Sequence, residues 1–203
     1  AITSLAILPL TNAGDDESAE YLSDGITESL INNLSKLPRL KVIARSTVFR
    51  YKGQQVDPQE IGTRLGVRAV LTGRISPRAD MLNIQTELVD VLDGAQLWGE
   101  QYNRHASDIF ELQEEIAQEI AAKLRLKLSG EDKQRLTRRD TQNTEAYQLY
   151  LKGRFFWNKR TEAGQRKGIE YLNQAIEKEP NYALAYSGLA DCYASLAFSF
   201  DTG

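Results

Sequence analysis

The spacing of apolar positions along this chain predicts alternating strands and helices in its first part. Residues 4–10, SLAILPL, form a short apolar run that predicts a buried strand, and a polar stretch follows it. Apolar residues then recur at helical spacing until Pro38, which ends the helix. LKVIA at residues 40–44 predicts a second buried strand. The order strand, helix, strand indicates a parallel pair of strands joined by a crossover helix.

The next predicted elements are a capped helix and three strands. Asp57 can cap the helix, Pro58 suits its first position, and Gly66 suits its end. Three strands are predicted after it, at residues 67–75, 82–91 and 95–103. Apolar and polar residues alternate in the middle strand, so one face of the sheet should be wet and the other dry. Asp93-Gly94 predicts a tight hairpin turn of the primed type between the last two strands.

A long helix closes this first part, and the pattern then becomes helical throughout. Residues 108–128 carry an apolar stripe at helical spacing, with acidic residues early and basic residues late. Residues 129–143 are polar and carry almost no core residues, as is typical of a linker. We therefore expect an α/β domain over residues 1–128, with a mixed sheet of about five strands, and an all-α segment over residues 144–203.

The all-α segment has the spacing of tetratricopeptide (TPR) repeats, which are antiparallel helix pairs of about 34 residues. Pro180 stands where such a unit closes, with Leu172 and Ala175 at its large and small positions. The next unit matches the motif at Tyr186, Leu189, Ala190 and Tyr193. With Gly153 as its small residue, the first unit is roughly three residues too long for the motif, and Gly168 replaces the usual alanine. We expect one full repeat and part of a second, and a generic helical hairpin is the alternative.

An interrupted repeat array leaves an apolar helix face without a neighbour. That face contains Leu196, Phe198 and Phe200, and we expect it to pair with another copy of the chain or to fray. Because the chain starts at Ala1 and stops inside a repeat, we also expect it to be a piece of a longer protein.

The composition argues against most kinds of chemistry. The net charge is -3 and the basic residues are dispersed, which does not favour nucleic-acid binding. The sequence has no apolar run of the roughly 18 residues that a membrane helix needs, and it has no glycine-rich phosphate loop. His105, the single histidine, is expected in a solvated loop, and Cys192, the single cysteine, is expected to be a buried thiol. Asp24-Gly25 receives no chemical role, and the carboxylate runs at 15–17 and 111–115 are typical of solvated surface. We therefore expect no enzymatic activity, no metal and no cofactor.

Aromatic and polar residues on the first helix of the all-α segment are the candidate partner-binding residues. In TPR arrays the first helix of each unit lines the concave face, where partner peptides bind. In this register that helix would present to the groove Tyr147, Tyr150, Arg154 and Asn158. Aromatic and arginine side chains are common anchors of interfaces. Repeat helices also bury aromatic residues, so packing inside the segment is the alternative.

The first 128 residues resemble a known family along their whole length. The resemblance rests, in chain order, on SLAILPL, YLSDGITESLINNLSKLPRLKVIARS, YKGQQVDPQEIGTRLGVRAVLTGRI, ELVDVLDGAQLWGEQYNR and DIFELQEEIAQEIAAKL. This part of the chain resembles the TolB-like amino-terminal domain, an accessory domain of bacterial signalling and regulatory proteins. The resemblance implies a small mixed sheet packed by helices and followed by TPR repeats. It also implies a place after a class III adenylate or guanylate cyclase domain, or after a winged-helix DNA-binding domain.

These features favour a non-catalytic protein-interaction or sensory module of a larger bacterial signalling protein, such as a nucleotide cyclase. One alternative is a domain that senses a small ligand and gates an attached effector, and another is the regulatory part of a winged-helix transcriptional regulator. A deep polar pocket in the α/β domain would favour ligand sensing, whereas an open helical groove would favour protein binding. The sequence leaves open whether the compartment is cytoplasmic or periplasmic, with a tether to the inner membrane through segments outside this chain.

Overall fold

The computed structural model describes residues 1–14 and 19–200, with side chains described through residue 197. The acidic run at 15–17 and the side chains of Phe198 and Phe200 therefore lie outside the described residues. The chain divides into two compact units, Ala1–Arg138 and Arg139–Gly203, which we call the α/β unit and the helical unit.

The α/β unit combines one sheet with helices on both of its faces. Its strands are β1 (Ser4–Ile7), β2 (Thr11–Asn12), β3 (Lys41–Val42), β4 (Ala69–Arg78), β5 (Met81–Asp90) and β6 (Gln96–His105). Its α-helices are α1 (Glu20–Ser35), α2 (Arg45–Val48), α3 (Pro58–Leu65), α4 (Ile109–Lys123) and α5 (Gly130–Thr137). Short 3-10 helices span Phe49–Tyr51 and Ala106–Asp108.

The sheet has the order β3-β1-β4-β5-β6, and β2 also pairs with β4. Strand β1 runs parallel to β3 and β4, whereas β4, β5 and β6 pair in antiparallel fashion. The crossover from β1 through α1 to β3 confirms the predicted parallel pair. The sheet has six strands, where about five were predicted, because the predicted strand at 4–10 gives way to β1 and a separate β2.

The break between β1 and β2 is explained by one buried hydrogen bond. Pro9 has no N–H to donate, and the Leu10 N–H donates to Thr27 Oγ1 of α1 at 3.0 Å. Gly73 of β4 leaves room for this detour, since a Cβ atom there would lie 2.9 Å from Leu10 Cδ2. The chain therefore leaves the sheet briefly after β1 and rejoins it at β2.

The two faces of the sheet differ in polarity, as the alternation in the middle strand predicts. Helices α1 and α4 cover the apolar face, whose buried residues include Leu71, Ile75, Ile84 and Leu88. On the opposite face α3 packs closely, because a Cβ atom at Gly62 would lie only 2.2 Å from Val91 Cγ2. Farther from α3 this second face is polar and carries Thr72, Arg74, Asn83, Gln85 and Asn103.

The predicted helix ends around α3 are confirmed. The Asp57 carboxylate accepts the Glu60 N–H at 2.9 Å, and Pro58 occupies the first helical position. Gly66 follows the helix in the left-handed conformation, with φ 65°.

The turn between β5 and β6 differs from the predicted primed hairpin. Gly94 has a positive φ of 70°, but Asp93 does not, and both primed turns require a positive φ at the first central residue. Two side chains shape this connection: the Asp90 carboxylate accepts the Leu92 N–H, and the Asp93 carboxylate accepts the Ala95 N–H. A wider turn replaces the predicted tight one: the Gly94 N–H donates to the Asp90 carbonyl at 2.9 Å, and the two side chains stabilise the loop.

The predicted linker at 129–143 contains a helix. Ser129 and Asp132 form a reciprocal capping box at the start of α5, and Leu136 of this helix is buried. Helix α4 ends at Lys123, short of the predicted residue 128, because Arg125 takes a left-handed conformation with φ 56°. Compactness places the division between the two units at Arg138, inside the predicted linker.

The helical unit contains three α-helices among its described residues, α6 (Thr144–Asn158), α7 (Glu162–Lys178) and α8 (Ala183–Phe200). The side chains of Asn143 and Thr161 cap α6 and α7. Helices α6 and α7 cross closely at two glycines, since a Cβ atom at Gly153 would lie 2.6 Å from Leu172 Cγ and one at Gly168 would lie 3.1 Å from the Gly153 carbonyl. The small residues that the sequence singled out thus set the distance between these helices.

Candidate functional site

The predicted partner-binding residues lie on α6, and most of them contact other parts of the helical unit. Tyr147 is buried, and the Tyr150 ring packs against Tyr182 at 5.4 Å between ring centroids. Arg154 Nη1 lies 2.8 Å from Asp191 Oδ2 of α8. Asn158 is half-buried. The structure thus uses Tyr147, Tyr150 and Arg154 for internal packing, and their role in binding a partner stays a prediction.

Tyr182, which directly precedes α8, and Cys192 on α8 complete the interior of the helical unit. Tyr182 is fully buried, and burial raises the pKa of its hydroxyl. Cys192 is also fully buried, as predicted, and burial raises the pKa of its thiol to about 11. A thiol with this pKa and no exposure is a packing residue at neutral pH.

Another face of α8 exposes two aromatic side chains. Tyr186 is 49% exposed and Tyr193 is 54% exposed. They are seven residues apart, which places them on one face of the helix, two turns from each other. Among the residues that the structure describes, the other exposed large apolar side chain is Leu92, in the turn after β5. Two tyrosines on one helix face form a larger apolar surface than one isolated leucine.

The α/β unit contains an open cavity of about 830 Å³ beside the carboxyl end of β1. Its lining combines the β1–β2 break with the segment before α3, and its polar side chains include Thr11, Asn12, Glu20, Lys52, Gln54 and Gln55. In open α/β sheets, ligands commonly bind outside the carboxyl ends of parallel strands. The cavity therefore stands where a ligand site is expected in this class of fold.

An ion-pair cluster borders this cavity. Lys52 Nζ lies 2.9 Å from Glu20 Oε1 and 2.6 Å from Asp24 Oδ1. Burial raises the pKa of the Asp24 carboxyl, while the hydrogen bond and charge of Lys52 oppose that rise. Arg45 extends the cluster by an ion pair with Glu28 at 2.8 Å. Glu20, Asp24 and Glu28 recur every four residues along α1, so they share one helix face.

The ion-pair cluster is not predicted from the sequence. Asp24 received no chemical role because its partner Lys52 is remote in sequence, and only the fold brings the two together. The spacing of Glu20, Asp24 and Glu28 was the available clue, since three carboxylates on one helix face suggest a nearby cation. His105 is exposed, at the end of β6, with Nδ1 3.1 Å from Asp80 Oδ2.

The fold is that of an α/β domain followed in the chain by a helical unit. Residues 1–119 match the family model described as HilA/YgeH-like transcriptional regulator, second domain. The chain therefore belongs to this family.

A curated relative and two solved structures extend the comparison. The Rhizobium meliloti (strain 1021) protein named "Putative adenylate cyclase 3" is 35% identical over 187 residues, which is 92% of this chain and 32% of that protein. This chain thus spans about a third of the length of the curated relative that it matches. TolB from Acinetobacter baumannii has a TM-score of 0.46 at 21% identity, covering 61% of this chain and 28% of that one. Lipoprotein GNA1162 from Neisseria meningitidis has a TM-score of 0.45 at 20% identity, covering 59% and 96%. In the described part of the chain, no helix is both long and apolar enough to cross a membrane.

Proposed function

We propose that this chain is a non-catalytic regulatory module of a larger signalling protein, and that its helical unit contacts a protein partner. The family description names a transcriptional regulator, and the name of the curated relative refers to an adenylate cyclase. These names refer to different effector activities. The domain that this chain has in common with both is therefore better explained as a regulatory domain than as a catalytic one. A cyclase or DNA-binding activity would belong to parts of the protein outside this chain.

The observation that carries this proposal is the pair of exposed tyrosines on α8. An aromatic ring that is half exposed keeps apolar surface in water, and a protein partner could cover it. Tyrosine combines a large apolar ring with a hydroxyl, and it is enriched at the centres of interfaces. Tyr186 and Tyr193 share one face of α8, so a single partner segment can contact both.

We further propose that the helical unit is built from TPR repeats, with α6 and α7 as the first repeat and α8 as the start of the second. The close crossing at Gly153 and Gly168 supports this arrangement. Leu172 and Ala175 are both fully buried, as the motif requires of its large and small positions. The partner would then be a protein or peptide, or a second copy of the chain.

Affinity capture from lysate of the source cells tests the proposal. The bait is the 203-residue chain, compared with a Tyr186→Ser/Tyr193→Ser variant, and Leu92→Ser serves as the matched control in the α/β unit. We expect a protein that wild type and Leu92→Ser retain and that the double variant loses. The same set of proteins on all three baits would contradict the proposal. Circular dichroism confirms that each variant is folded.

A second candidate function, sensing of a small polar ligand, is favoured by the cavity at the carboxyl end of β1. The cavity is large enough for a metabolite and has both cationic and anionic side chains at its edge. Ligand-observed NMR with a library of small polar metabolites tests it, using Thr72→Trp to fill the cavity. Binding that this variant abolishes would favour sensing, whereas no binding by wild type would exclude it for the compounds screened.

A further inference from the structure

Lysine side chains gather over aromatic rings where α6 meets α7. We define the basic-aromatic surface by Lys152, Lys159, Lys167, Phe155, Phe156 and Tyr171. The Phe156 and Tyr171 rings stack at 5.5 Å between centroids and 15° between planes. Lys159 Nζ lies 4.8 Å from the centroid of Phe155, and Lys152 Nζ lies 5.7 Å from that of Tyr171. The rings hold the ammonium groups through the attraction between a cation and the face of an aromatic ring.

Two ammonium groups share one ring. Lys159 Nζ and Lys167 Nζ each lie 4.9 Å from the Phe156 centroid, so they are no farther apart than twice that distance. Two ammonium groups within about a Debye length of each other repel, and the repulsion falls with added salt. An anion that reaches both ammonium groups would offset this repulsion.

Neither ammonium group is neutralised by a carboxylate among the residues that the structure describes. The nearby Glu162 carboxylate already pairs with Arg166, at 2.8 Å. The whole chain has 28 acidic and 25 basic residues, so carboxylates are not scarce. The uncompensated lysines are therefore a local property of this surface.

We propose that the basic-aromatic surface binds an acidic segment of a partner protein, with carboxylates that reach Lys159 and Lys167. This inference rests on the proposed protein-binding function and names the chemistry of the partner. Surface charges of this kind mainly set the rate and specificity of association. The expected partner segment carries several aspartate or glutamate residues close together in sequence.

A protein segment suits this surface better than a nucleic acid. Nucleic acids bind such surfaces by stacking bases on open ring faces. Here the Phe156 ring already faces Tyr171 and two ammonium groups.

Fluorescence anisotropy tests the proposal. The probe is a short fluorescein-labelled peptide rich in aspartate and glutamate, and its control replaces them with asparagine and glutamine. We expect binding to wild type that weakens with added salt and that falls about tenfold or more in Lys159→Gln/Lys167→Gln. Lys127→Gln/Lys133→Gln, which removes the same charge from exposed positions of the α/β unit, should change the affinity less than about twofold. Lys159→Arg/Lys167→Arg should keep it.

Equal affinity in wild type and the Lys159→Gln/Lys167→Gln variant would overturn the assignment, as would the absence of binding. Binding of duplex DNA or of vesicles containing phosphatidylserine, if as tight as the peptide and equally sensitive to the variant, would overturn the acidic protein segment in favour of a general anion site. The two proposals can fail independently. If the peptide binds but capture from lysate does not depend on Tyr186 and Tyr193, the proposed function is wrong and the anion site stands. If capture depends on the two tyrosines but the peptide does not bind, only the acidic-segment proposal is wrong.

Discussion

Lys52 is the cation that pairs with the Glu20 and Asp24 carboxylates beside the cavity. Its ammonium group faces two carboxylates, and the Asp24 side chain is only 9% exposed, against 31% for Lys52. A buried carboxylate that loses its cation keeps its desolvation penalty without compensation. We therefore expect Lys52→Met to lower the free energy of unfolding by about 2 kcal/mol. Urea denaturation measures it, with Lys127→Met as an exposed control, and unchanged midpoints for both variants would refute the prediction.

The same pair gives the α/β unit a defined response to pH. The pKa of Asp24 in the folded chain lies above its ordinary value of 3.8, because of burial. A carboxyl group with a raised pKa contributes stability that is fully present below the unfolded pKa and is lost as pH rises through the folded one. Wild type should therefore gain stability relative to Asp24→Asn as the pH is lowered from neutral to about 4. Thermal unfolding across this range checks it, and a difference that shrinks on acidification would have the wrong sign.

The reactivity of Cys192 tests whether the inner face of α8 is buried. Its thiol is fully buried and its pKa is raised to about 11, so thiolate is scarce at mildly alkaline pH. We expect Ellman's reagent to leave the folded chain unmodified and to react rapidly with one thiol per chain in urea. Rapid stoichiometric labelling of the folded chain would show that the interior of the helical unit is open.

At the scale of elements, the crossing of α6 and α7 depends on the absence of side chains. A Cβ atom at Gly153 would lie 2.6 Å from Leu172 Cγ, which is the branch point of a fully buried residue. Gly153→Ala should therefore destabilise the helical unit by about 1–3 kcal/mol, although alanine favours helices. Gly130→Ala, at the start of α5 with open space around it, is the matched control and should be near neutral. Equal unfolding midpoints for the two variants would contradict the close crossing.

Local sequence predicted those elements whose ends are determined locally. Asp57, Pro58 and Gly66 act within their own helix, so they set the ends of α3 in isolation. The predicted strand at 4–10 is longer than β1 because Thr27 Oγ1, on α1, accepts a hydrogen bond from the Leu10 N–H. Helix α5 was missed although its capping box, Ser129 and Asp132, is visible in the sequence. The polar composition of this segment is typical of a linker. Only the fold shows that Leu136 is buried against the rest of the α/β unit.

The candidate sites were less predictable than the elements, again for a physical reason. Helical spacing predicts that Tyr150 and Arg154 face a partner, but Tyr182 and Asp191 of the same unit contact them. Helical spacing shows which residues share a face, but not which neighbouring helix covers it. For the same reason the contact between Lys52 and Asp24 required the fold.

At the scale of the whole molecule, two units with different surfaces follow one another in a chain that spans about a third of its curated relative. The α/β unit belongs to a family named for transcriptional regulators, and the relative is named for a different effector. Because one fold can serve different functions, the proposed role has to be tested at a specific surface. Under the proposed function, the exposed aromatic face of α8 would be the surface that contacts other proteins.

Site-specific photocrosslinking in the intact protein, inside its own cells, tests whether α8 contacts another protein. A photoreactive phenylalanine analogue replaces Tyr186 or Tyr193 in turn, and Leu92, which is 72% exposed in the α/β unit, is the matched control. We predict crosslinks to another protein, or to a second copy of this one, from both α8 positions and not from position 92. Crosslinks confined to the same polypeptide, or equal from all three positions, would show that this face of α8 is not a specific contact with a partner.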